Sequence, residues 1–406
     1  MRWVAPLILL AATALADTNV TISPMYDNRQ SAYIHTIDDY AGYNSSDFIT
    51  AIDKAWALGI PTEVGAYATN TLLTAGAISA LQPYLDAGAA VVASHSLNEY
   101  NFGACTSNDL AFYERTVRDS KTLLEAAFDL GDVFTYGGSD YLVNWIQSYA
   151  TVSPSSFQPI ITHMAATNLY LLDAAGMQAG TTNGKFAVGS WNETTNLYDR
   201  IYRHAMTIYP NSFTNYLDLN QTYFANRIDS CLTTTGEVYC TYSHPASPTY
   251  GDYDNDDGQY VTMLNYAAGH SELWYTTLSW LYSYRYLRDR ATPTITCTES
   301  SAYTDIEVTC DGAEREKYGL GFPLTYEYAL PASMTNSSVV HAYVKHDGQT
   351  AFLAIPNKTG KTGFSSGNAF RRDGNTLYIS QAFSTTTTNF TLRVQTARPI
   401  PVGGIR

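Results

Sequence analysis

The sequence predicts an α/β fold, a distorted (β/α) barrel, followed by a smaller domain of the β-sandwich type. Residues 31–94 alternate strand-like apolar runs with runs at helical spacing, which is typical of parallel strands with helices outside them. After residue 291 the pattern changes to short alternating runs separated by turn residues, which is typical of a sandwich. A chain of 406 residues has room for both domains. We therefore divide it into residues 1–16, 17–290 and 291–406.

The first sixteen residues are typical of a secretory signal peptide. Met1-Arg2 precedes an apolar run, and an Ala-x-Ala pattern ends at Ala16. No later stretch is long and apolar enough to suggest a membrane span. We therefore expect a secreted protein, extracellular or associated with the cell wall. Asn-x-Ser/Thr sites, which permit glycosylation, agree with export and occur at Asn19, Asn44, Asn192, Asn220, Asn336, Asn357 and Asn389.

The net charge and the composition limit the classes of molecule that the protein is expected to bind. The formal net charge is −14, which argues against nucleic acids and anionic membranes and suits a neutral or cationic ligand. The chain has 33 tyrosines, whose flat faces and polar tips suit sugar stacking as well as core packing. The composition is therefore compatible with a carbohydrate ligand, and we expect a monomer.

The five cysteines divide unevenly. Cys231 and Cys240 are close in sequence, as are Cys297 and Cys310, so an oxidising compartment would allow two disulfides that close small loops. Cys105 is then left over as a free, buried thiol. A nucleophile is the alternative, which we disfavour because no histidine lies near Cys105 in sequence to activate it.

The first predicted strand, Tyr33–Tyr40, ends in two adjacent carboxylates, Asp38 and Asp39. Buried acids are costly unless they are solvated, paired or bound to a cation, and the carboxyl ends of strands are where α/β folds place their chemistry. A surface turn is the alternative interpretation.

A helix should begin near Asn44 and end at Gly59, followed by a strand over Ile60–Tyr67, because apolar spacing and glycine stops mark both. A second helix over Ala75–Ala87 leads to a third strand, Ala89–Ser94. That strand runs directly into His95 and Glu99, which are spaced i, i+4 and would share one face of a helical turn. If the strands are neighbours, Asp39, His95 and Glu99 meet at one rim as ligands for a divalent metal. A surface loop with an incidental histidine is the alternative.

This order of motifs resembles polysaccharide deacetylases of the NodB-homology type, carbohydrate esterase family 4. The family carries Thr-Phe-Asp-Asp after its first strand and His-Ser/Thr-x-x-His after its third. Here the counterparts are Thr36-Ile37-Asp38-Asp39 and His95-Ser96-Leu97-Asn98-Glu99. The resemblance covers residues 31–141 and is weaker beyond them. It implies a barrel of the NodB type.

The resemblance implies that Asp38 is the catalytic base and that Asp39 and His95 bind a divalent metal. Zinc is the metal we expect, with cobalt or another transition metal as alternatives. Glu99 stands where the family has its second histidine. If Glu99 ligates, this departure changes the charge and the metal preference of the site. A subfamily with different substrates and a lost activity are the alternatives.

A long amphipathic helix should cover residues 112–128, followed by Val133–Tyr141. The family forms a wall of its groove here with an Arg-containing or Pro-Gly segment. This chain has no arginine in that segment, so the usual partner of the base is not assigned. Substrate-lining candidates in it are Tyr136, Asp140 and Tyr141.

The final barrel strand is predicted over Tyr260–Tyr266, with a closing helix from Trp274 to Arg290. Family members follow this strand with a histidine that acts as general acid. By position that residue is His270 here. Its competitors are His163, His204 and His244.

The motifs together predict a secreted, metal-dependent deacetylase that removes N- or O-acetyl groups from a chitin-like polymer, a galactosamine-containing polymer or acetylxylan. One alternative is a carbohydrate-binding protein on a degenerate deacetylase scaffold, suggested by Glu99 and the missing arginine. The other is a glycoside hydrolase in which Asp38 or Asp39 works with a distant carboxylate. The C-terminal domain either binds carbohydrate or packs on the barrel, and we favour packing.

Overall fold

The structure of the chain is a computed structural model. It describes residues 19–42, 45–69, 71–98, 115–131, 135–136, 139–140, 142, 144–146, 172–173, 202–203, 221–245, 258–289, 293–300, 302–310, 322–337, 339–358, 368–383 and 389–396. No helix within these ranges is long and apolar enough to cross a membrane.

The strands, in chain order, are β1 Val20–Ile22, β2 Ser31–Tyr40, β3 Thr62–Ala66, β4 Ala90–Ser94, β5 Thr135–Tyr136, β6 Ser139–Asp140, β7 Asn144–Trp145, β8 Leu172–Asp173, β9 Tyr202–Arg203, β10 Val238–Ser243, β11 Leu273–Thr276, β12 Thr294–Glu299, β13 Tyr303–Thr309, β14 Leu324–Ala329, β15 His341–His346, β16 Leu353–Ala354, β17 Ala369–Asp373, β18 Thr376–Gln381 and β19 Asn389–Gln395. The α-helices are α1 Ser45–Ala57, α2 Ala75–Asp86, α3 Ser120–Ala127, α4 Gln221–Thr233, α5 Gln259–Ala267, α6 Leu278–Asp289 and α7 Ala332–Thr335. A 3₁₀ turn spans Tyr26–Asn28 and a π-helical turn spans Arg115–Asp119.

The large sheet is parallel, and β2 lies next to its edge strand β10. Its order in the described residues is β10-β2-β3-β4-β7-β8-β9, and β11 pairs with the first residues of β2. Helices α1 and α2 connect β2, β3 and β4, as the sequence predicts, and α1 buries apolar residues from Phe48 to Ala55 at helical spacing. The predicted α/β class is confirmed, and the curled parallel sheet agrees with a distorted barrel. Since neighbouring parallel strands end at the same edge, the carboxyl ends of β10, β2, β3 and β4 share one rim.

The strand predicted over Tyr260–Tyr266 is wrong, because these residues belong to helix α5. Aromatic and β-branched residues favour a strand locally. The buried residues follow helical spacing instead, with Tyr260, Val261, Leu264 and Ala267 inside. The strand lies later, at β11, so the predicted helix from Trp274 begins only at Leu278.

Residues 293–396 contribute two antiparallel sheets, ordered β1-β14-β18-β17 and β12-β13-β19-β15-β16. The rings of Tyr326 and Phe390 lie 5.9 Å apart, and Tyr328 donates a hydrogen bond to Thr304 across the two sheets. The first sheet contains β1, although we predicted that residues 17–290 form the barrel. Strand β1 pairs with β14 because Val20 and Ile22 add an extended segment to its edge.

Neither predicted disulfide forms among the described cysteines. The buried Sγ of Cys231 lies 3.9 Å from a carboxylate oxygen of Glu237 rather than next to Cys240. In the ladder of β12 and β13, Cys297 is opposite Ile306, four residues before Cys310. Four residues of a strand span about 13 Å, which exceeds the reach of a disulfide. Cys105 lies outside the described residues.

A buried ion cluster joins the start of the chain to the C-terminal sheets. The carboxylate of Asp27, 1% exposed, accepts a 3.0 Å hydrogen bond from Nε of Arg371 and lies 2.9 Å from Nζ of Lys358. Arg29 is the third cation, 3.6 Å away. Burial lowers the pKa of Arg29 and of Lys358, and the negative charge of Asp27 opposes that effect. The one buried carboxylate therefore lies against three buried or half-buried cations, of which Arg371 also lies 3.6 Å from the exposed carboxylate of Asp373.

We expect Asp27→Asn to lower the free energy of unfolding by about 3–5 kcal/mol, because it leaves buried cations without a counter-charge. Urea unfolding at neutral pH measures the loss. Asp305→Asn is the matched control, since Asp305 pairs with Arg393 at a partly exposed position, where about 1 kcal/mol is expected. Equal losses in the two variants would contradict this account of the cluster.

Glu63 of β3 has a buried carboxylate that caps the amino end of helix α6. Its Oε2 accepts hydrogen bonds from the backbone N–H of Leu278 (2.6 Å) and of Ser279, and its Oε1 accepts from Asn144 (2.9 Å). Burial raises the pKa of Glu63 to about 7, against the opposing effect of these hydrogen bonds. The carboxylate thus links β3, β7 and the amino end of α6 across the barrel.

Because the folded protein binds the Glu63 proton more tightly than the unfolded chain does, its contribution to stability is present below pH 4.5 and is lost as the pH rises towards 7. A shift of this size corresponds to about 3 kcal/mol. We expect the free energy of unfolding of the parent, relative to Glu63→Gln, to fall by that order between pH 4 and pH 8. Urea unfolding of both proteins gives the difference, in which other titrating groups cancel. Parallel curves would show that Glu63 titrates normally.

Candidate active site

The end of β2 departs from strand geometry at Asp39. The register between β2 and β3 shifts between Ile37 and Tyr40, and Asp39 has φ 72°. Consecutive side chains of a strand normally point to opposite faces, and a bulge with a left-handed residue removes that constraint. It allows Asp38 and Asp39 to serve the same rim. A left-handed backbone is strained for a residue other than glycine and is enriched at functional sites.

His95, at the end of β4, contacts Asp39 through one ring nitrogen and is fixed through the other. Its Nε2 lies 3.1 Å from Oδ1 of Asp39. Its Nδ1 lies 2.9 Å from the carbonyl oxygen of Ile146. Because a carbonyl only accepts, Nδ1 carries a hydrogen, and Nε2 is the nitrogen that can present a lone pair. This is the orientation that metal-binding histidines adopt.

A second histidine reaches the same carboxylate from the other side of β2. His244 follows β10 directly, and its Nε2 lies 3.6 Å from Oδ2 of Asp39. Strand β10 pairs in parallel with β2, with Ser243 opposite Ile37. The sequence offers His244 only as a competitor for the proton donor, because nothing local indicates that β10 and β2 are neighbours.

Tyr67 completes the surroundings of Asp39, and sequence reasoning missed it. Its hydroxyl donates a 2.6 Å hydrogen bond to Oδ1 of Asp39, and its ring centre lies 5.0 Å from that of His95. Gly42 makes room for the ring, since a Cβ there would lie 2.7 Å from a carbon of the tyrosine. Its position one residue beyond β3, between the strands that carry the acids and the histidine, is the signal that could have found it.

Asp38 is buried beneath these groups. Its Oδ1 is enclosed and has no hydrogen-bond partner within the described residues. A Cβ on Gly65 of β3 would lie 3.1 Å from that oxygen, so glycine permits the close approach of the two strands here. Within the described residues, Asp38 thus has a buried carboxylate oxygen that accepts no hydrogen bond.

Burial and pairing move the pKa values of the two acids in opposite directions. Burial raises the pKa of Asp38, and the nearby histidines only partly oppose it. Burial alone would also raise the pKa of Asp39, but His95, His244 and Tyr67 outweigh it and hold that pKa below its usual range. The pKa of His95 is raised, because the hydrogen bond and charge of the acids exceed the effect of burial. Asp39 is therefore a fixed anion and Asp38 the more basic carboxylate.

Of the predicted site residues, the structure brings Asp38, Asp39 and His95 together. Glu99 and Tyr141 lie outside the described residues, as do the competitors His163 and His204. Tyr136 and Asp140 belong to the small hairpin of β5 and β6, of which the side chain of Tyr136 is not described. Asp140 is half-buried, and burial raises its pKa. No described contact links this hairpin to Asp39.

The structure does not bring His270 to the site. His270 precedes β11, whose first residue Leu273 is opposite Ser31, at the amino end of β2. Asp38 lies at the carboxyl end of the same strand. The imidazole of His270 instead contacts the carbonyl oxygen of Tyr266. The prediction placed His270 at the rim because it took residues 260–266 for the preceding strand.

The donor set fits a divalent metal chemically. His, Cys, Asp and Glu side chains of the described residues do not form a preassembled three-ligand site. Asp39, however, has an imidazole Nε2 next to each of its oxygens. Imidazole nitrogen and carboxylate oxygen are ligands of Zn²⁺ and related transition metals, and a neutral imidazole lone pair facing a carboxylate requires a proton or a metal cation between them.

The chain is similar to known proteins only at the level of structure, and at low identity. No protein-family profile matches the chain, and no curated protein matches it. Among solved structures it is similar to a polysaccharide deacetylase described as such from Mycobacterium smegmatis, with a TM-score of 0.43 and 9% identity, covering 64% of this chain and 91% of the other. It is similar to a family 4 acetyl xylan esterase from Clostridium thermocellum in complex with a cobalt ion, with a TM-score of 0.36 and 11% identity, covering 62% of this chain and 90% of the other. It is also similar to a CE4 family pseudoenzyme from Bacillus anthracis, with a TM-score of 0.35 and 10% identity, covering 63% of this chain and 66% of the other.

The motifs predict a resemblance to polysaccharide deacetylases, and solved structures of that description are among those similar to the chain, at TM-scores of 0.43 and below. Similarity at this level includes an enzyme and a pseudoenzyme alike, so it does not decide the reaction. The chemistry of this chain rests on its own side chains.

We expect Tyr67→Phe to lower the free energy of unfolding at neutral pH by about 1.5–3 kcal/mol, because its hydroxyl bonds to a charged acceptor. Tyr40→Phe is the matched control: Tyr40 is equally buried and donates a 2.6 Å hydrogen bond to the neutral carbonyl of Ala77, for which about 1 kcal/mol is expected. Urea unfolding of metal-free protein measures both. A smaller loss for Tyr67→Phe than for Tyr40→Phe would mean that Asp39 does not need this donor.

Proposed function

We propose that the chain is a metal-dependent carbohydrate deacetylase, which hydrolyses N- or O-acetyl groups on a polysaccharide. The observation that carries the proposal is the convergence of Asp38, Asp39 and His95 at the carboxyl ends of β2 and β4, with an unbonded carboxylate oxygen of Asp38 among them. A base without a donor, next to a paired carboxylate and an oriented imidazole, is what hydrolysis of an acyl group by an activated water requires.

Asp39 and His95 would hold the metal, for which zinc is our first choice and cobalt or another transition metal the alternative. A divalent metal in this position supplies a Lewis acid that polarises the acetyl carbonyl and lowers the pKa of a bound water. Hydrogen bonds to other groups of the protein hold both ligand side chains in position. The carbonyl of Ile146 orients the imidazole, and the hydroxyl of Tyr67 orients the carboxylate.

Asp38 acts as the general base. Its raised pKa makes it a better proton acceptor than an exposed aspartate. It takes one proton from the attacking water, and the resulting carboxylic acid then returns that proton to the leaving nitrogen or oxygen as the bond to the acetyl carbon breaks. Acetate and the free amine or hydroxyl are the products. Among the described residues this assignment replaces His270 as proton donor.

We propose a chitin-like polymer, a galactosamine-containing polymer or acetylxylan as substrate. The net charge of −14 favours neutral polymers and the cationic products of amide hydrolysis. The signal-like first sixteen residues and the glycosylation sites support secretion of a glycosylated monomer. The antiparallel sheets after residue 293 would form a sandwich that packs on the barrel, since Tyr284 of α6 donates a hydrogen bond to Ser23 next to them.

We expect Asp38→Asn to reduce acetate release from acetylated chitin oligomers or acetylxylan by at least a hundredfold, while bound metal stays at the parent level. The amide cannot accept the proton of water, but it keeps the volume of the carboxylate. Activity should also rise with pH through the raised pKa of Asp38, since only the carboxylate is a base. Acetate assays and elemental analysis of the same samples measure both.

Asp53→Asn, on the exposed face of α1, is the control and should behave like the parent. Full acetate release by Asp38→Asn would show that another group is the base. Shortened sugars without free acetate would favour the glycoside hydrolase. Polysaccharide binding without metal or acetate release would favour the binding protein.

A further inference from the structure

We propose that His244 is the third protein ligand of the metal, together with Asp39 and His95, in the role for which the sequence offers Glu99. The inference rests on the proposed function and deepens it. The three ligands then come from the carboxyl ends of three strands of one sheet: His244 follows β10, Asp39 lies at the bulge of β2, and His95 follows β4, with β3 between β2 and β4. No ligand of this set depends on the loop that follows His95.

The topology fixes His244 at the rim. Strand β10 lies next to β2 in parallel, with Ser243 opposite Ile37, so the next residue of β10 comes level with the aspartate pair. Pro245 follows and is buried. A residue before proline is restricted to extended backbone, which limits how far the imidazole can swing from Asp39.

The spacing fits a shared cation. Nε2 of His95 lies 3.1 Å from one oxygen of Asp39, and Nε2 of His244 lies 3.6 Å from the other. Two ligands that are each about 2.1 Å from a tetrahedral metal lie about 3.4 Å apart. The two observed distances lie on either side of this value, so each histidine has the spacing from Asp39 that two ligands of one metal ion would have.

The charges also balance. With Asp38 and Asp39 ionised and both histidines neutral, a divalent cation makes the site neutral. A third carboxylate ligand would leave it with an excess negative charge in a place where Asp38 is already buried and unpartnered by hydrogen bonds. A ligand set of two histidines and one carboxylate is known for catalytic zinc, where it leaves a position open for water.

The exposure of the three side chains indicates which side of the metal site faces solvent. The side chain of His95 is 3% exposed, whereas those of Asp39 and His244 are 13% and 19% exposed. Solvent and substrate therefore reach the metal past His244. A ligand in this position differs from a proton donor in one respect that can be measured: its removal weakens metal binding itself.

The test uses the full chain after chelator treatment, titrated with Co²⁺, with visible absorption and elemental analysis as readouts. We expect one Co²⁺ per parent chain and at least a hundredfold weaker binding by His244→Ala. Glu99→Ala should bind within about threefold of the parent. His270→Ala controls for loss of a histidine elsewhere, since His270 lies at the opposite end of the sheet.

His244→Cys keeps the proposal testable if His244→Ala fails to fold. A thiolate at this position that binds Co²⁺ gives a sulfur-to-cobalt charge-transfer band in the near ultraviolet, which a cysteine outside the coordination sphere does not give. Far-ultraviolet circular dichroism and thermal unfolding of the metal-free variants show whether each one is folded.

Parent-like affinity of His244→Ala, together with no charge-transfer band from His244→Cys, would overturn the inference. If acetate release were lost at parent-like affinity, His244 would be a proton donor instead. If Glu99→Ala lost the metal, Glu99 would be the ligand, and in both cases the proposed function would stand. A parent chain that binds no divalent metal would refute the proposed function itself.

Discussion

The candidate site depends on one backbone conformation, the left-handed Asp39 at the end of β2. In a regular strand only one of two adjacent aspartates could point into the rim, and the other would enter the apolar layer between β2 and the helices. The bulge lets both acids face His95, at the cost of strain in a residue that is not glycine. Tyr67 and the two histidines bind the Asp39 side chain once it is there, so pairing offsets part of that strain.

The two acids differ because their neighbours differ, although they are adjacent in sequence. Asp39 receives a phenol hydrogen and lies against two imidazoles, while an oxygen of Asp38 lies against the bare backbone of Gly65. Environments that move the pKa values of neighbouring acids apart assign one to binding and the other to proton transfer. The glycines at positions 42 and 65 contribute by what they lack, since a Cβ at either would push one of the groups away.

The sequence predicted the part of the fold whose contacts are local. Buried apolar runs separated by helix-spaced segments placed β2, β3 and β4 within a few residues, and with them Asp38, Asp39 and His95. It did not predict the neighbour of β2 on its other edge, because Thr36 and Thr241 of β2 and β10 meet across 205 residues. Local propensity also misled at residues 260–266, where aromatic and β-branched side chains favoured a strand and burial selected a helix. For this reason the sequence placed His270 at the rim, where the structure has His244.

Strand β1 has a consequence for how the protein is made. Its partner β14 lies about three hundred residues later, as the hydrogen bond from Ser23 to Glu327 across 304 residues shows. During synthesis β1 leaves the ribosome about three hundred residues before β14 and stays without this partner until those residues have followed. Contacts of such long sequence separation form late and slowly. The sheet that contains β1 and β14 is therefore completed late, after the residues between these two strands have been made. The segment around β1 is thus made early but fixed in place late.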